Sequence, residues 1–255
     1  MKVIGIIPAR MAASRFPGKP LAKISGHPMI EHVYRRAALS KALSEVYLAT
    51  CDQVIFDATI AFGGNAVMTA DTHVRCTDRV AEAVEKIASA ADVVVNIQGD
   101  EPLLRPEAVD LLCGPMLQDP MLEAANIVVP FETEDAFRNP NIPKAVCDRN
   151  GYIMYISREP IPSLWRGGKV PMMGQTGIIA FRREFLLKFW RLEPTPLEAV
   201  ESVDMLRALE HGYRLKAVPF GVRVPMVDTP EDLVKVQQLM RTDEIAMKLG
   251  MNGGA

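Results

Sequence analysis

The segment Val93-Val94-Val95-Asn96-Ile97 is almost continuously apolar. A strand with one face in water alternates apolar and polar residues, so such a run belongs to a strand covered on both faces. Other short β-rich runs recur at Val3–Ile7, Glu45–Ala49, Ala66–Met68 and Ala125–Val129. Amphipathic helical patterns lie between them. Met29–Leu39 carries Ile30, Val33, Tyr34 and Ala37 at helical spacing, and Thr77–Ala88 carries Val80, Ala83, Val84 and Ile87. Pro106–Leu117 opens with proline at a first helical position. Strand and helix in repetition impose parallel pairing through right-handed crossovers. The expected fold is therefore α/β, a doubly wound, mostly parallel sheet.

The rhythm changes after Phe131. Lys144–Cys147, Tyr152–Ile156 and Thr176–Phe181 read as strands without long helices between them. Asp148-Arg149-Asn150-Gly151 is a hairpin turn, because Asn-Gly tolerates positive φ. The expectation is one domain over residues 1–255 with an antiparallel insertion at about 132–182. Helices are expected at Arg183–Arg191 and Pro196–Glu210, then a strand at Leu215–Val218. Thr229-Pro230-Glu231-Asp232 opens a last helix, with Thr as N-cap, Pro at N1 and a carboxylate at N3. The tail from Met251 is expected to fray.

Lys and Arg total 29 against 31 Asp and Glu, a net charge of −2. That balance argues against nucleic acid as a partner, which would call for a basic face. No apolar run is long enough to span a bilayer. The apolar start at Val3–Ile7 is too short for a signal peptide and is followed by Arg10 and Arg15 without a cleavage site. Cys51, Cys76, Cys113 and Cys147 are scattered without metal-ligand spacing, which fits reduced thiols in the cytoplasm.

The first strand runs into Pro8-Ala9-Arg10-Met11-Ala12-Ala13-Ser14-Arg15-Phe16-Pro17-Gly18-Lys19-Pro20. Ligands of open α/β sheets bind beyond the carboxyl ends of strands. Arg10, Arg15 and Lys19, with Ser14 and Gly18 among them, suit a polyphosphate there. The alternative is a solvated basic loop. Neither the P-loop nor the dinucleotide fingerprint is present, which disfavours a dinucleotide oxidoreductase.

The wording of this loop resembles the N-terminal signature of the CMP-KDO synthetases, the 3-deoxy-manno-octulosonate cytidylyltransferases. The likeness continues, in order, through Gly26-x-Pro28-Met29-Ile30, Thr50-Cys51-Asp52, Asn96-Ile97-Gln98-Gly99-Asp100-Glu101-Pro102 and Asn139-Pro140-Asn141. It extends to Gly151-Tyr152, Ser157-Arg158, Pro196-Leu197-Glu198 and Val227-Asp228-Thr229-Pro230-Glu231-Asp232-Leu233. The resemblance implies transfer of CMP from CTP to an acidic 2-keto sugar with release of pyrophosphate, in lipopolysaccharide biosynthesis, by a cytoplasmic homodimer using magnesium. It places Arg10, Lys19 and Asp100 in catalysis. Pro8, Ala9, Arg10, Ser14, Arg15, Lys19, Arg79 and Gln98 would hold the nucleotide. Asp100 and Asp228 would ligate the metal; the local alternatives are a turn cap for Asp100 and helix-terminus electrostatics for Asp228. Thr77 is retained and reads locally as a helix N-cap.

The chain also departs from the family. Arg75-Cys76 stands where a Ser-Gly pair is usual, and Asp78 replaces a Glu. Gln98, Arg158, Gln175, Glu198 and Asp204 fall at acceptor-binding positions, with Arg158 suited to a carboxylate. Gln175 and Ala180 replace a His and a Tyr, and Asp204-Met205 replaces a Glu-Gln pair. An apolar surface around Ala180 and Met205 would suit an acceptor other than plain KDO. CMP transfer to a phosphonate or phosphate, and a non-catalytic nucleotide-binding regulator, remain alternatives.

Overall fold

β1 (Val3–Ala9) is buried at all seven positions, as a strand covered on both faces must be. It is followed by the short ribbon β2 (Lys23–Ile24) and β3 (His27–Pro28), then α1 (Met29–Ala37), β4 (Glu45–Thr50), α2 (Gln53–Ala61) and β5 (Asn65–Met68). Next come α3 (Cys76–Lys86), β6 (Val93–Asn96), α4 (Pro106–Gln118), β7 (Ala124–Pro130), α5 (Glu134–Arg138), β8 (Lys144–Cys147), β9 (Ile153–Ser157) and β10 (Met173–Arg182). The chain closes with α6 (Arg183–Trp190), α7 (Pro196–Glu201), α8 (Met205–Glu210), β11 (Leu215–Pro219), α9 (Pro230–Met240) and α10 (Glu244–Lys248). The computed structural model describes all residues except Ala13, Ser14, Ala88, Ser89, Gly168, Lys169, Gly254 and Ala255. The chain divides into two compact units, Met1–Asp110 with Val224–Ala255, and Leu111–Arg223.

In the first unit β6, β1, β4 and β5 pair in that order, all parallel. In the second, β11 pairs with β7 in parallel, while β7–β10, β10–β8 and β8–β9 are antiparallel. The mostly parallel α/β expectation is met. The hairpin forms where Asn-Gly placed it: Gly151 has φ +73°, and its amide donates to Asp148 O at 3.0 Å.

Three local expectations are corrected, and one helix, α2, has no counterpart in the sequence pattern. Helix Pro196–Glu210 is two helices, because Ser202 adopts a left-handed φ of +52° between them. The N-cap of α3 is Arg75, and Thr77 lies inside the helix, fully buried. Met251 does not fray but docks at 2% exposure, its amide donating to Ala246 O. Helix α2 carried no amphipathic signal, since Val54 and Ile60 are each 52% exposed.

The C-terminal return of the first unit brings Asp228 back from the far end of the sequence. Val227, Val236, Met240 and Ala246 join Ile24, Met29 and Leu103 in one buried cluster. Arg36, fully buried, pairs with Asp243 and donates to Leu104 O at 3.3 Å. Removing one partner of a buried ion pair strands the other charge. Asp243→Ala should therefore cost about 3–5 kcal/mol of stability, read by denaturant melting.

His32 is also buried, with its Nε2 against Ile24 O at 2.8 Å. Burial pulls its pKa from 6.5 to about 4, the backbone bond opposing only in part. The unfolded chain then binds the extra proton first, so stability is lost as pH falls from about 6.5 towards 4. Melting curves across that window should fall less steeply in His32→Gln than in wild type.

Candidate active site

The carboxyl ends of β1 and β6 lie side by side, with Ile6 opposite Asn96. The loops leaving them line one cleft of about 310 Å³ in the first unit. Its wall includes Pro8, Ala9, Arg10, Arg15 and Lys19 from the first loop, and Gln98, Gly99 and Asp100 from the segment after β6. Arg79 and Asp228 also reach it. Ser14 lies outside the described residues. Two glycines make the approach possible. Gly18 takes φ +76°, which an L side chain resists. A Cβ on Gly99 would sit 2.9 Å from the carbonyl oxygen of Pro8.

Lys19 is the centre of this arrangement. Its ammonium donates to Asp100 Oδ2 at 2.8 Å, Asp228 Oδ1 at 3.2 Å and Val227 O at 3.0 Å. Arg15 meets the other oxygen of Asp228 at 3.1 Å. The Val227 amide donates to Asp100 O at 2.9 Å, so the two aspartates share one backbone brace. Asp100 Oδ1 is buried without a hydrogen-bond partner among the described residues. Asp228 stands just ahead of the Thr229 cap, whose hydroxyl accepts from Asp232 N, and α9 thereby fixes its approach.

The opposite wall is the segment from β5 to α3, with His73, Val74, Arg75 and Cys76 facing the cleft. Helix α3 holds it from behind. Arg79, 3% exposed, donates to Thr69 Oγ1 and to Ala70 O at 3.0 Å. Glu82 accepts from the Ala70 amide at 2.9 Å and pairs with His73 and Lys86. Lys86 donates to Met68 O at 2.9 Å. No sequence motif marks Glu82; its one signal is helical spacing with Arg79 and Lys86. Gln98 Nε2 reaches Cys76 Sγ at 3.7 Å across the cleft floor.

Of the acceptor-side residues, Gln98 belongs to the first unit and Arg158, Gln175, Glu198 and Asp204 to the second. Arg158 donates to three carbonyls, Glu201 O at 2.6 Å, Pro140 O at 2.9 Å and Ser202 O at 3.2 Å, and its amide donates to Glu201 Oε2. Gln175 Nε2 donates to Asn126 Oδ1 at 2.8 Å. Glu198, buried, accepts from Arg207 Nε at 2.7 Å and Nη2 at 2.6 Å, and its Oε2 accepts from the Thr195 amide at 3.5 Å. Asp204 is the residue before α8. Ala180 and Met205 are fully buried, so the apolar acceptor surface expected around them is not formed.

The cytidylyltransferase family profile matches residues 4–217. The chain belongs to the cytidylyltransferase family. It is 41% identical to a 3-deoxy-manno-octulosonate cytidylyltransferase from Geobacter metallireducens, over 96% of this chain and all of the relative. A protein of the same name from Acaryochloris marina is also 41% identical, over 93% of this chain and 96% of its own. A solved CMP:2-keto-3-deoxy-manno-octonic acid synthetase complexed with CTP is 38% identical and superposes with a TM-score of 0.89, covering 94% of this chain and 98% of its own. The chain is thus a CTP-dependent nucleotidyltransferase. Burial alone would raise the Glu82 carboxyl, but its bonds from Lys86, His73 and the Ala70 amide outweigh that and hold it at about 2. Its stabilising contribution is complete above the ordinary carboxylate range and is lost as pH falls towards 2. Glu82→Ala should cost about 1–3 kcal/mol at neutral pH, and the cost should shrink on acidification; thermal melts at both pH values measure it.

Proposed function

We propose that the enzyme transfers CMP from CTP to 3-deoxy-manno-octulosonate (KDO) or a closely related acidic 2-keto sugar, releasing pyrophosphate. The observation that carries this reading is Lys19 holding Asp100 and Asp228 together in a cleft with Arg10 and Arg15. In the reaction the acceptor's anomeric hydroxyl attacks the α-phosphorus, the bond to the β-phosphate breaks, and pyrophosphate leaves. Charge gathers on the leaving phosphates, and fixed cations stabilise it most when they need no reorganisation. Arg10, Arg15 and Lys19 supply them, with Pro8, Ala9, Ser14, Arg79 and Gln98 framing the nucleotide.

We assign magnesium to Asp100 and Asp228. The two residues fit a hard cation: both donors are oxygens, and Asp100 Oδ1 is buried with no protein partner among the described residues. No group of three or more His, Cys, Asp or Glu side chains able to hold a metal occurs among the described residues. Two carboxylates alone suit an ion whose remaining ligands come with the triphosphate. Such an ion supplies Lewis acidity at the α-phosphate.

On the acceptor side the proposed set is Gln98 with Arg158, Gln175, Glu198 and Asp204, Glu198 acting through the Arg207 to which it is tied. With Ala180 and Met205 in the core, nothing on their account disfavours KDO itself. The proposal includes action as one homodimeric cytoplasmic enzyme on free small molecules, in lipopolysaccharide biosynthesis, without nucleic acid or membrane. No helix is long and apolar enough to cross a membrane among the described residues.

Incubation with CTP, magnesium and KDO should yield CMP-KDO by mass, and chelation should stop it. Asp100→Asn should lower kcat on the order of 10²-fold or more with an unchanged melting curve. Product formed equally from ATP, or at full rate in chelator, would defeat the nucleotide or the metal assignment respectively.

A further inference from the structure

Thr50-Cys51-Asp52 belongs to the family-like pattern, and the proposed chemistry gives it no work. β1 and β4 run parallel with Ala9 opposite Thr50. Two residues beyond the end of each strand, the Met11 amide donates to Asp52 Oδ2 at 2.7 Å. Asp52 occupies the N-cap position of α2, where a carboxylate ordinarily accepts from its own helix. Its side chain makes no capping bond; the first turn of α2 is met by the Asp52 carbonyl alone, from Ile55 N and Phe56 N at 3.1 Å. The carboxylate is committed instead to a backbone 41 residues away.

Met11 is held on its other side too. Its carbonyl accepts from Gly18 N at 3.0 Å, and Gly18 precedes Lys19. A continuous chain of bonds therefore runs from the end of β4 through Met11 and Gly18 to the ammonium that bridges Asp100 and Asp228. Arg10 precedes the pinned amide directly. Asp52 itself is turned back by Thr50, whose hydroxyl accepts from the Asp52 amide at 3.1 Å. Thr50 is fully buried, so the anchor point is rigid.

We infer that Asp52 is a positioning residue for cytidylyl transfer: through its bond to the Met11 amide it fixes both ends of the cationic loop, and with them Arg10 and Lys19, against the triphosphate. The inference rests on the reading of this loop as the triphosphate site. A charged acceptor is favourable for the bond but not required, because an Asn Oδ1 accepts the same N–H.

The test compares Asp52→Ala, Asp52→Asn and Lys19→Ala, measuring CTP dissociation by calorimetry, KM and kcat for CTP, and melting temperature. In Asp52→Ala the Kd and KM for CTP should rise roughly 10-fold, the ratio expected for one lost charge-assisted bond, while melting shifts little. Asp52→Asn should return to within about threefold of wild type. In an Arg10→Ala, Lys19→Ala background the Asp52→Ala effect on Kd should largely vanish, since the groups it positions are gone. Unchanged CTP affinity in a folded Asp52→Ala would overturn the inference. So would Asp52→Asn as impaired as Asp52→Ala, since charge rather than position would then matter. If Asp52→Ala does not fold, Asp52→Asn still decides, because loss of CTP binding there contradicts a hydrogen-bonding role. Lys19→Ala binding CTP as wild type does would instead defeat the underlying reading of the loop, and would be seen independently of Asp52.

Discussion

The Lys19 ammonium between Asp100 and Asp228 is the interaction on which the rest of the first unit converges. Two carboxylates that share one ammonium repel each other, and a partly buried setting strengthens the repulsion. Lys19 relieves it from within the protein, and Arg15 takes the remaining oxygen of Asp228. The side chains of Lys19 and Asp100 are only 15% and 17% exposed, so solvent screens the pair weakly. The elements that meet here come from residues 19, 100 and 228, and each is fixed by a different device. A left-handed glycine sets Lys19, the end of a buried parallel strand sets Asp100, and a capped helix sets Asp228.

A parallel sheet delivers such a site because its strand ends all point the same way. Cleft walls built of loops, however, need support that the strands do not give. The β5–α3 wall receives it from one face of α3, where Arg79, Glu82 and Lys86 satisfy Met68 O, Thr69, Ala70 and His73. Arg79 thus lines the cleft while its guanidinium is directed at the loop behind it.

The second unit uses its polar side chains in the same bracing manner. Arg158 gathers three carbonyls from two segments, and Glu201 accepts from Ser157 Oγ at 2.6 Å and from the Arg158 amide. Lys144, fully buried, donates to Asn139 O and Arg158 O, both at 2.7 Å. Burial lowers the Lys144 pKa, Glu159 and Glu201 acting against that. Buried charges with hydrogen-bond partners on every side fix one arrangement of the backbone around them.

The sequence alone determined what depends on neighbours along the chain. The strand and helix alternation, the Asn-Gly hairpin at Asp148–Gly151, the Thr229 cap, and the placing of Arg10, Lys19 and Asp100 at strand ends all follow from local periodicity and turn chemistry. Helix α2 escaped because its apolar residues lie on no single face, and the break at Ser202 escaped because no Gly or Pro marks it. The tertiary structure alone decided which charges meet. Lys19 and Asp228 are 209 residues apart, and Asp52 and Met11 are 41. It also turned Ala180 and Met205 into core and Glu198 towards Arg207. The physical reason is that hydrophobic period is a property of a segment, whereas an ion pair or hydrogen bond exists only once two segments have been brought within about 3 Å.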